Sequence, residues 1–168
     1  DTTGQKNVSI GNYSSDATTT GSNNVAVGYN AFTDNTTGSQ NVAIGQASLA
    51  NNTTANSNTA IGYAVLQANT VGEHNTGVGH GALYDNVDGD GNTATGYGAL
   101  ANNTGANRNT AFGYQALHTA TTGGSNQAVG HYCLYNLTTG GSNAALGNSA
   151  GYSVTTGSNN AFIGNDAG

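Results

Sequence analysis

A 17-residue period runs through the whole chain and constrains its fold more than any other feature. Asparagine recurs at this interval without a slip, and a glycine follows each of these asparagines four places later. The asparagines are Asn7, Asn24, Asn41, Asn58, Asn75, Asn92, Asn109, Asn126, Asn143 and Asn160. A strict period without insertions means that successive copies take equivalent places in space. The sequence therefore predicts a repeat protein that advances by one structural unit with each 17-residue copy.

The residue types within one copy favour strands over helices. The consensus is Asn-(Val/Thr)-Ala-(Ile/Val)-Gly-Tyr-x-Ala-Leu-x-x-Asn-Thr-Thr-Gly-Ser-x. A fixed glycine, an Asn-Thr-Thr-Gly turn and β-branched apolar residues all disfavour helix. We therefore predict an all-β fold, a β-solenoid of ten 17-residue coils forming a single domain over residues 1–168. At the ~4.8 Å spacing of hydrogen-bonded strands, the coils would make a rod of roughly 45 to 50 Å.

Each coil has a predicted strand, an inward apolar column and a turn. Strands such as Val42-Ala43-Ile44 alternate, so the outer two side chains share one face and the alanine takes the other. Residues such as Asn35-Thr36-Thr37-Gly38 are interpreted as ordinary turns. A column of leucines is predicted to point inward: Leu49, Leu66, Leu83, Leu100, Leu117 and Leu134.

The repeated asparagine is predicted to form a structural ladder. A side-chain amide has both a donor and an acceptor, so it can bond the same amide one coil away. The ladder residues would be Asn24, Asn41, Asn58, Asn75, Asn92, Asn109, Asn126 and Asn143.

The alanine at the strand centre suggests association between chains. Because so small a residue lets another chain approach closely, we expect the alanine face to lie in a parallel homotrimer. The chain also begins and ends partway through a repeat, whereas isolated solenoids generally carry divergent polar caps. We therefore expect it to be a fragment of a longer fibre.

Charge and composition argue against several classes of partner. Lys6 and Arg108 are the only basic residues and the net charge is −6, so the chain cannot neutralise a phosphate backbone or hold an anionic membrane surface. No apolar run approaches the ~18 residues of a membrane-spanning helix. We predict no nucleic-acid partner, no membrane insertion and no cofactor. The single cysteine, Cys133, is expected to be a small buried hydrophobe.

Two stretches carry a resemblance to known fibre proteins. Residues 24–28 (Asn-Val-Ala-Val-Gly) and 109–113 (Asn-Thr-Ala-Phe-Gly) resemble the head repeats of YadA-like trimeric autotransporter adhesins, which form trimeric β-rolls. Residues 58–66 and 109–117 resemble Asn-Thr-Ala-Ile-Gly-Tyr-x-Ala-Leu repeats of bacteriophage tail fibres. The likeness covers essentially the whole chain, although the coil is longer than the common autotransporter repeat.

The resemblance implies a structural and adhesive segment of a trimeric fibre, such as a phage tail fibre or an adhesin head. Such a segment would be extracellular or on a virion surface. Its partners would be further copies of itself and a host-surface glycan or protein.

Two alternatives remain open. A threonine column broken only by Val87 could form an ice-binding face, since such a surface needs regular hydroxyl and methyl arrays about 4.8 Å apart. Its members are Thr2, Thr19, Thr36, Thr53, Thr70, Thr104, Thr121, Thr138 and Thr155. The other alternative is a self-assembling extracellular filament.

One motif invites an enzymatic interpretation. Residues 147–151 (Gly-Asn-Ser-Ala-Gly) match the Gly-x-Ser-x-Gly nucleophile elbow, which needs a strand-turn-helix context and a histidine downstream. No histidine follows His131, and Gly147 is the repeat glycine. The sequence therefore predicts no catalytic residue and no enzyme.

The metal candidates are weak. Asp88, Asp90 and Asn92 alternate like the ligands of a calcium loop, but Asn92 belongs to the predicted ladder, and a solvated acidic turn is favoured. His80 and His131 replace tyrosine three coils apart, about 14 Å at solenoid spacing, which is too far to share a metal ion. We expect both histidines to lie at the surface or in an interface.

Overall fold

The computed structural model describes residues 3–168. Thr2, the first member of the predicted threonine column, lies outside the described residues. Within that range the regular secondary structure consists of ten strands of three residues, without a helix. The strands, β1 to β10, are Val8–Ile10, Val25–Val27, Val42–Ile44, Thr59–Ile61, Thr76–Val78, Thr93–Thr95, Thr110–Phe112, Gln127–Val129, Ala144–Leu146 and Ala161–Ile163. Accordingly, residues 3–168 contain no helix that could cross a lipid bilayer.

All ten strands form one parallel sheet in sequence order, which confirms the predicted β-solenoid. Pairing keeps the 17-residue register throughout: Val42 pairs with Thr59, Ala43 with Ala60 and Ile44 with Ile61. The ten strands define nine steps, and the tenth coil holds only residues 160–168, so the rod has about nine full turns rather than ten complete coils. Below, each coil is numbered from its ladder asparagine, so that coil 5 begins at Asn75.

The repeat glycine ends every strand. Its φ lies between 119° at Gly79 and 144° at Gly130, a region that side-chain-bearing residues rarely adopt. The next coil also passes very close, because a Cβ on Gly28 would lie 2.6 Å from the carbonyl oxygen of Gly45. Only glycine meets both conditions, which explains why this position never varies.

Three further positions in each coil turn the chain in the left-handed region. In coil 4 they are Ala64 (φ 53°), Leu66 (φ 51°) and His74 (φ 59°). Such a conformation costs a non-glycine residue on the order of 1 kcal/mol. Complete burial of Leu66 offsets this, since burying a leucine contributes roughly 1.5–3 kcal/mol.

The core lies inside the single chain, and one sequence interpretation was wrong. The strand-centre alanines, expected to face a neighbouring chain, are fully buried: Ala26, Ala43, Ala60, Ala94, Ala111 and Ala128. They pack across a narrow coil, and a Cβ on Gly77, which replaces the alanine in coil 5, would clash with Val65 of the same chain. The alternation was right, but the β-branched pair faces outward.

In the last two coils, the leucine column holds glycine and the strand-centre column gains a phenylalanine. Gly151 and Gly168 stand where coils 3 to 8 have leucine, while Phe162 stands in the strand-centre column that holds alanine in most coils. A Cβ on Gly151 would lie 2.6 Å from Cδ2 of Leu134 and 3.0 Å from Cδ2 of Phe162. The phenylalanine therefore fills the space left by the missing leucines, and the core remains packed.

Candidate functional site

The asparagine ladder is present, and its constant bond runs from side chain to backbone. Oδ1 of Asn75 accepts the backbone N–H of Asn92 at 2.9 Å, and Nδ2 of Asn75 donates to the carbonyl of Gly89 in its own coil at 2.7 Å. The backbone N–H to Oδ1 bond occurs at every step from Asn7 to Asn160.

Direct bonds between ladder amides, predicted for every step, are found only at some, such as Asn92 to Asn75 at 3.2 Å. The sheet register fixes the backbone N–H close to Oδ1. The Nδ2 group of the same side chain then donates to a carbonyl of its own coil and closes the turn.

A second ladder, which sequence reasoning missed, runs through the turns. Its members, called here the turn ladder, are Asn35, Asn52, Asn69, Asn86 and Asn103, all fully buried. Here amide bonds amide directly: Nδ2 of Asn52 donates to Oδ1 of Asn35 at 3.0 Å, and Nδ2 of Asn69 to Oδ1 of Asn52 at 3.1 Å. These asparagines do lie in turns, as predicted, and each also bonds local backbone, as Nδ2 of Asn52 does to the carbonyl of Ala55 at 3.2 Å. Their burial and the ladder were not predicted.

One signal in the sequence could have identified the turn ladder. In the coils after Asn103 the same position holds Ala120, Leu137 and Val154. Apolar residues in later copies of a position indicate that the position is buried. At the end of the ladder, Oδ1 of Asn103 accepts the backbone N–H of Ala106 at 3.1 Å, so the last oxygen is also satisfied. In the described residues no buried side-chain nitrogen or oxygen lacks a partner.

The hydroxyls of the threonine column, named above as a possible ice-binding face, donate hydrogen bonds to backbone carbonyls of the next coil. The Oγ1 of Thr36 donates to the carbonyl of Thr53 at 3.0 Å, and the same bond recurs from Thr19, Thr53, Thr70, Thr104, Thr121 and Thr138. A hydroxyl has a single proton to donate. These threonines therefore offer ice only acceptor lone pairs and methyl groups, and ice binding stays a prediction that a thermal hysteresis measurement would test.

The acidic turn does not assemble a calcium site. Asn92 is buried and fully engaged in the asparagine ladder, whereas Asp88 and Asp90 are exposed. Oδ1 of Asp90 accepts the backbone N–H of Glu73 at 2.7 Å. Within residues 3–168, no group of three acidic, histidine or cysteine side chains could hold a metal ion.

Exposed aromatic rings form a continuous stack along the rod. The position after the repeat glycine, called here the first ring column, holds Tyr63, His80, Tyr97, Tyr114 and His131 in successive coils. Neighbouring ring centroids are 4.8 to 5.2 Å apart, with interplanar angles of 10° to 25°. The two histidines lie on the surface as predicted, and two tyrosine rings separate them.

A second ring column lies four positions later and consists of Tyr84, His118, Tyr135 and Tyr152, in coils 5, 7, 8 and 9. Coil 6 has Ala101 at this position. His118 stacks on Tyr135 at 5.4 Å, and Tyr135 on Tyr152 at 5.6 Å. In coil 8 the ring of Tyr132 lies between the two columns and meets both edge-on. Loss of solvent, followed by the proximity of the Tyr132 and Tyr97 phenols, raises the pKa of Tyr114.

Ser149, in the Gly-x-Ser-x-Gly match, and Cys133 lie in a turn and in the core, respectively. Ser149 lies in a turn with φ 52°, and its backbone N–H donates to the carbonyl of His131 at 2.8 Å, so it is not part of a strand-to-helix elbow. Cys133 is fully buried, as predicted, and burial raises the pKa of its thiol to about 11. The thiol is therefore protonated at neutral pH.

The outward face of the sheet is uncharged and mostly apolar. It consists of the first and third residue of each strand β1 to β10, called here the outward stripe, and neither position holds an acidic or basic residue in any coil. Large side chains stand in solvent: Phe112 is 57% exposed, Leu146 53% and Ile61 39%. Among the third residues only Thr95 is not apolar, whereas the first residues of β4 to β8 are polar: Thr59, Thr76, Thr93, Thr110 and Gln127.

No protein-family model matches this chain, and neither a curated protein nor a solved structure matches it. The surfaces described above are therefore the basis for inferring function.

Proposed function

We propose that this chain is a structural and adhesive segment of a trimeric extracellular or virion-surface fibre, with no catalytic role. The outward stripe is the observation that carries the proposal. It runs the full length of the ten-strand sheet, and contiguous apolar surface in a soluble protein marks an interaction site.

The geometry of the stripe favours a further copy of the same chain as its partner. All copies have the same 17-residue period, so when parallel rods are aligned in register, each coil of one rod lies beside the same coil of the next along the whole length. The stripe is uncharged, so bringing copies together buries no unpaired charge. The resemblance to autotransporter heads and phage tail fibres favours three copies rather than two.

Two ladders of bonds support a mechanical role. The asparagine ladder, the turn ladder and the parallel sheet all bond one coil to the next, so their hydrogen bonds are aligned along the rod. Bending the rod would strain all three sets together. A rigid rod of this kind suits the shaft or head of a fibre.

The size of the stripe sets the expected strength of association. Nine steps of ~4.8 Å by three residues of ~3.3 Å give a sheet face of roughly 430 Å². This is about half of the ~800 Å² per partner that stable interfaces bury. We therefore expect the isolated segment to trimerise in a concentration-dependent way.

Sedimentation equilibrium from low to high micromolar concentration tests the proposal. The wild-type protein should approach three times its 16.6 kDa chain mass. Replacing Ile61 and Phe112 together by lysine should leave the protein monomeric with an unchanged circular dichroism spectrum, because like charges would meet in the interface.

The matched control is the double replacement of Thr37 and Thr122 by lysine, at two exposed turn residues away from the stripe. It should sediment as the wild type does. A wild-type protein that stays monomeric at high micromolar concentration would contradict the trimer. A stripe variant that still trimerises would refute this placement of the interface.

A further inference from the structure

An open groove runs between the two ring columns over coils 5 to 7. It has a volume of about 390 Å³. His80 and Tyr97 line it from the first ring column, and Tyr84 and His118 line it from the second. Gly81 and Gly98 also line it, and they lie between the columns in sequence, where they contribute no side chain to fill the space.

The chain itself shows what shape fits between the columns. In coil 8 the residue equivalent to Gly81 and Gly98 is Tyr132. Its ring lies 5.5 Å from Tyr114 and 5.3 Å from Tyr135, at interplanar angles of 87° and 88°. A flat six-membered ring therefore fits at this position between the two columns. Coil 5 leaves the place open, because a Cβ on Gly81 would meet no atom within 4 Å, whereas in coil 6 the imidazole of His118 lies 3.3 Å from a Cβ built on Gly98.

No carboxylate, lysine or arginine lines the groove. Its polar groups are the phenol hydroxyls of Tyr84 and Tyr97, the imidazoles of His80 and His118 and the side-chain amide of Gln115. Nδ1 of His118 lies 2.9 Å from the carbonyl oxygen of Gly98. In the neutral ring Nδ1 therefore carries the proton and Nε2 is an acceptor.

This lining fits a sugar better than an aromatic side chain. A pyranose ring is close to a phenol ring in size but carries hydroxyl groups around its edge. It could bond to several phenol, imidazole and amide groups at once. An aromatic side chain from another protein would displace water from these groups and leave most of them unpaired, at a cost of about 1–3 kcal/mol each.

The direction of the groove also restricts the kind of glycan. The groove follows the straight stack of coils from coil 5 to coil 7, and successive coils are ~4.8 Å apart. An extended β-1,4-linked glycan runs straight and rises by a similar distance per sugar, whereas an α-1,4-linked glucan curves away.

We propose that this groove binds a neutral, extended β-linked glycan, with one pyranose ring at Gly81 and the chain continuing along the groove beside Ala101 and His118. The inference gives a partner to the adhesive part of the proposed function and rests on it for its biological meaning. The groove and the outward stripe share no residue, so one chain can use both surfaces.

Titration of the protein with chitohexaose, cellohexaose and maltohexaose to millimolar concentration, followed by NMR of the tyrosine and histidine rings, tests the proposal. At least one of the two β-linked hexasaccharides should shift the rings of Tyr97 and His118, and maltohexaose should not. Gly81→Tyr should weaken binding by about tenfold or more, which corresponds to ~1.4 kcal/mol. Tyrosine is compatible with this place, because Tyr132 adopts the same left-handed backbone in coil 8.

Gly91→Tyr is the matched control. Gly81 and Gly91 both have φ 64°, and a Cβ added at either would meet no atom within 4 Å, but Gly91 does not line the groove. This variant should bind as the wild type does. Failure of both β-linked sugars to bind, or equal binding by the two variants, would overturn the proposal. Sedimentation reports on the trimer independently, so loss of glycan binding in a trimeric protein refutes the groove alone.

Discussion

A buried asparagine in this rod holds two coils together because its side chain is both donor and acceptor. Asn75 accepts from the backbone of Asn92 and donates to the carbonyl of Gly89. An aspartate in its place would bury a charge and could not donate, and a leucine could do neither. The same requirement recurs at every coil, so the residue recurs with the period.

We expect Asn75→Leu to lower the free energy of unfolding by at least about 2 kcal/mol, because the N–H of Asn92 and the carbonyl of Gly89 lose their partner. Asn51→Leu, at an exposed position, should change it by no more than about 0.5 kcal/mol. Urea denaturation followed by circular dichroism measures both. Equal midpoints for the two variants would contradict a structural role for the ladder.

Ionisation of the Cys133 thiol should make the free energy of unfolding depend on pH in the alkaline range. The unfolded chain releases the thiol proton near its ordinary pKa of 9.0, whereas the folded chain holds it until about pH 11. Above pH 9 the folded state therefore binds more protons, and the free energy of unfolding should fall as pH rises from 9 to 11, by at most about 3 kcal/mol. Below pH 9 this contribution is constant.

Cys133→Ala isolates the effect, because other coils carry alanine at the same buried position, as at Ala99 and Ala116. The tyrosines titrate in the same pH range in both proteins. The difference in unfolding free energy between wild type and variant should thus change between pH 9 and pH 11, and a constant difference would argue against a buried thiol.

At the scale of one coil, a strand of only three residues is held by its pairing and by the glycine that ends it. Each strand contacts the strand before and the strand after it along the sheet. The close approach of one turn glycine to the next brings the coils near enough for these bonds to form. Glycine is therefore required where the coils meet, but not at every turn position.

Two neighbouring glycines in coil 5 separate these requirements. Gly79→Ala should destabilise the protein by at least about 2 kcal/mol, because φ is 119° there and the new Cβ would lie 2.7 Å from the carbonyl oxygen of Gly96. Gly81→Ala should change the stability by no more than about 1 kcal/mol, because the new Cβ would meet no atom within 4 Å, and the lower entropy of the unfolded chain offsets part of the cost of the left-handed conformation. Thermal melts measure both, and the opposite order would contradict the assigned backbone.

At the scale of the whole molecule, stability is a sum of contacts between neighbouring coils. In the described residues, every strand-to-strand contact joins strands that are adjacent in sequence. A rod of this kind should tolerate loss of a whole repeat but not of part of one.

Deleting residues 76–92 removes one whole repeat and joins Asn75 to Thr93, so every column is preserved. The shortened rod should unfold cooperatively, with a denaturant m-value about one tenth lower, since m scales with the surface exposed. Deleting residues 76–91 instead shifts every later column by one and should abolish cooperative unfolding. If the two deletions behave alike, stacking in register is not what holds the fold.

The sequence by itself determined the solenoid, its register and the asparagine ladder, because a strict period forces equal residues to equal places whatever the shape of the coil. The sequence could not decide which face of the strand lies inside, because Ala43 and its neighbours Val42 and Ile44 are all apolar. The tertiary structure decides it, because the interior of the coil is so narrow that only the small alanine fits there. The turn ladder and the groove also depended on the tertiary structure. Asn69 is buried and Gly81 opens a groove only because of the path that the chain takes through the turns of each coil, and the period carries no information about that path.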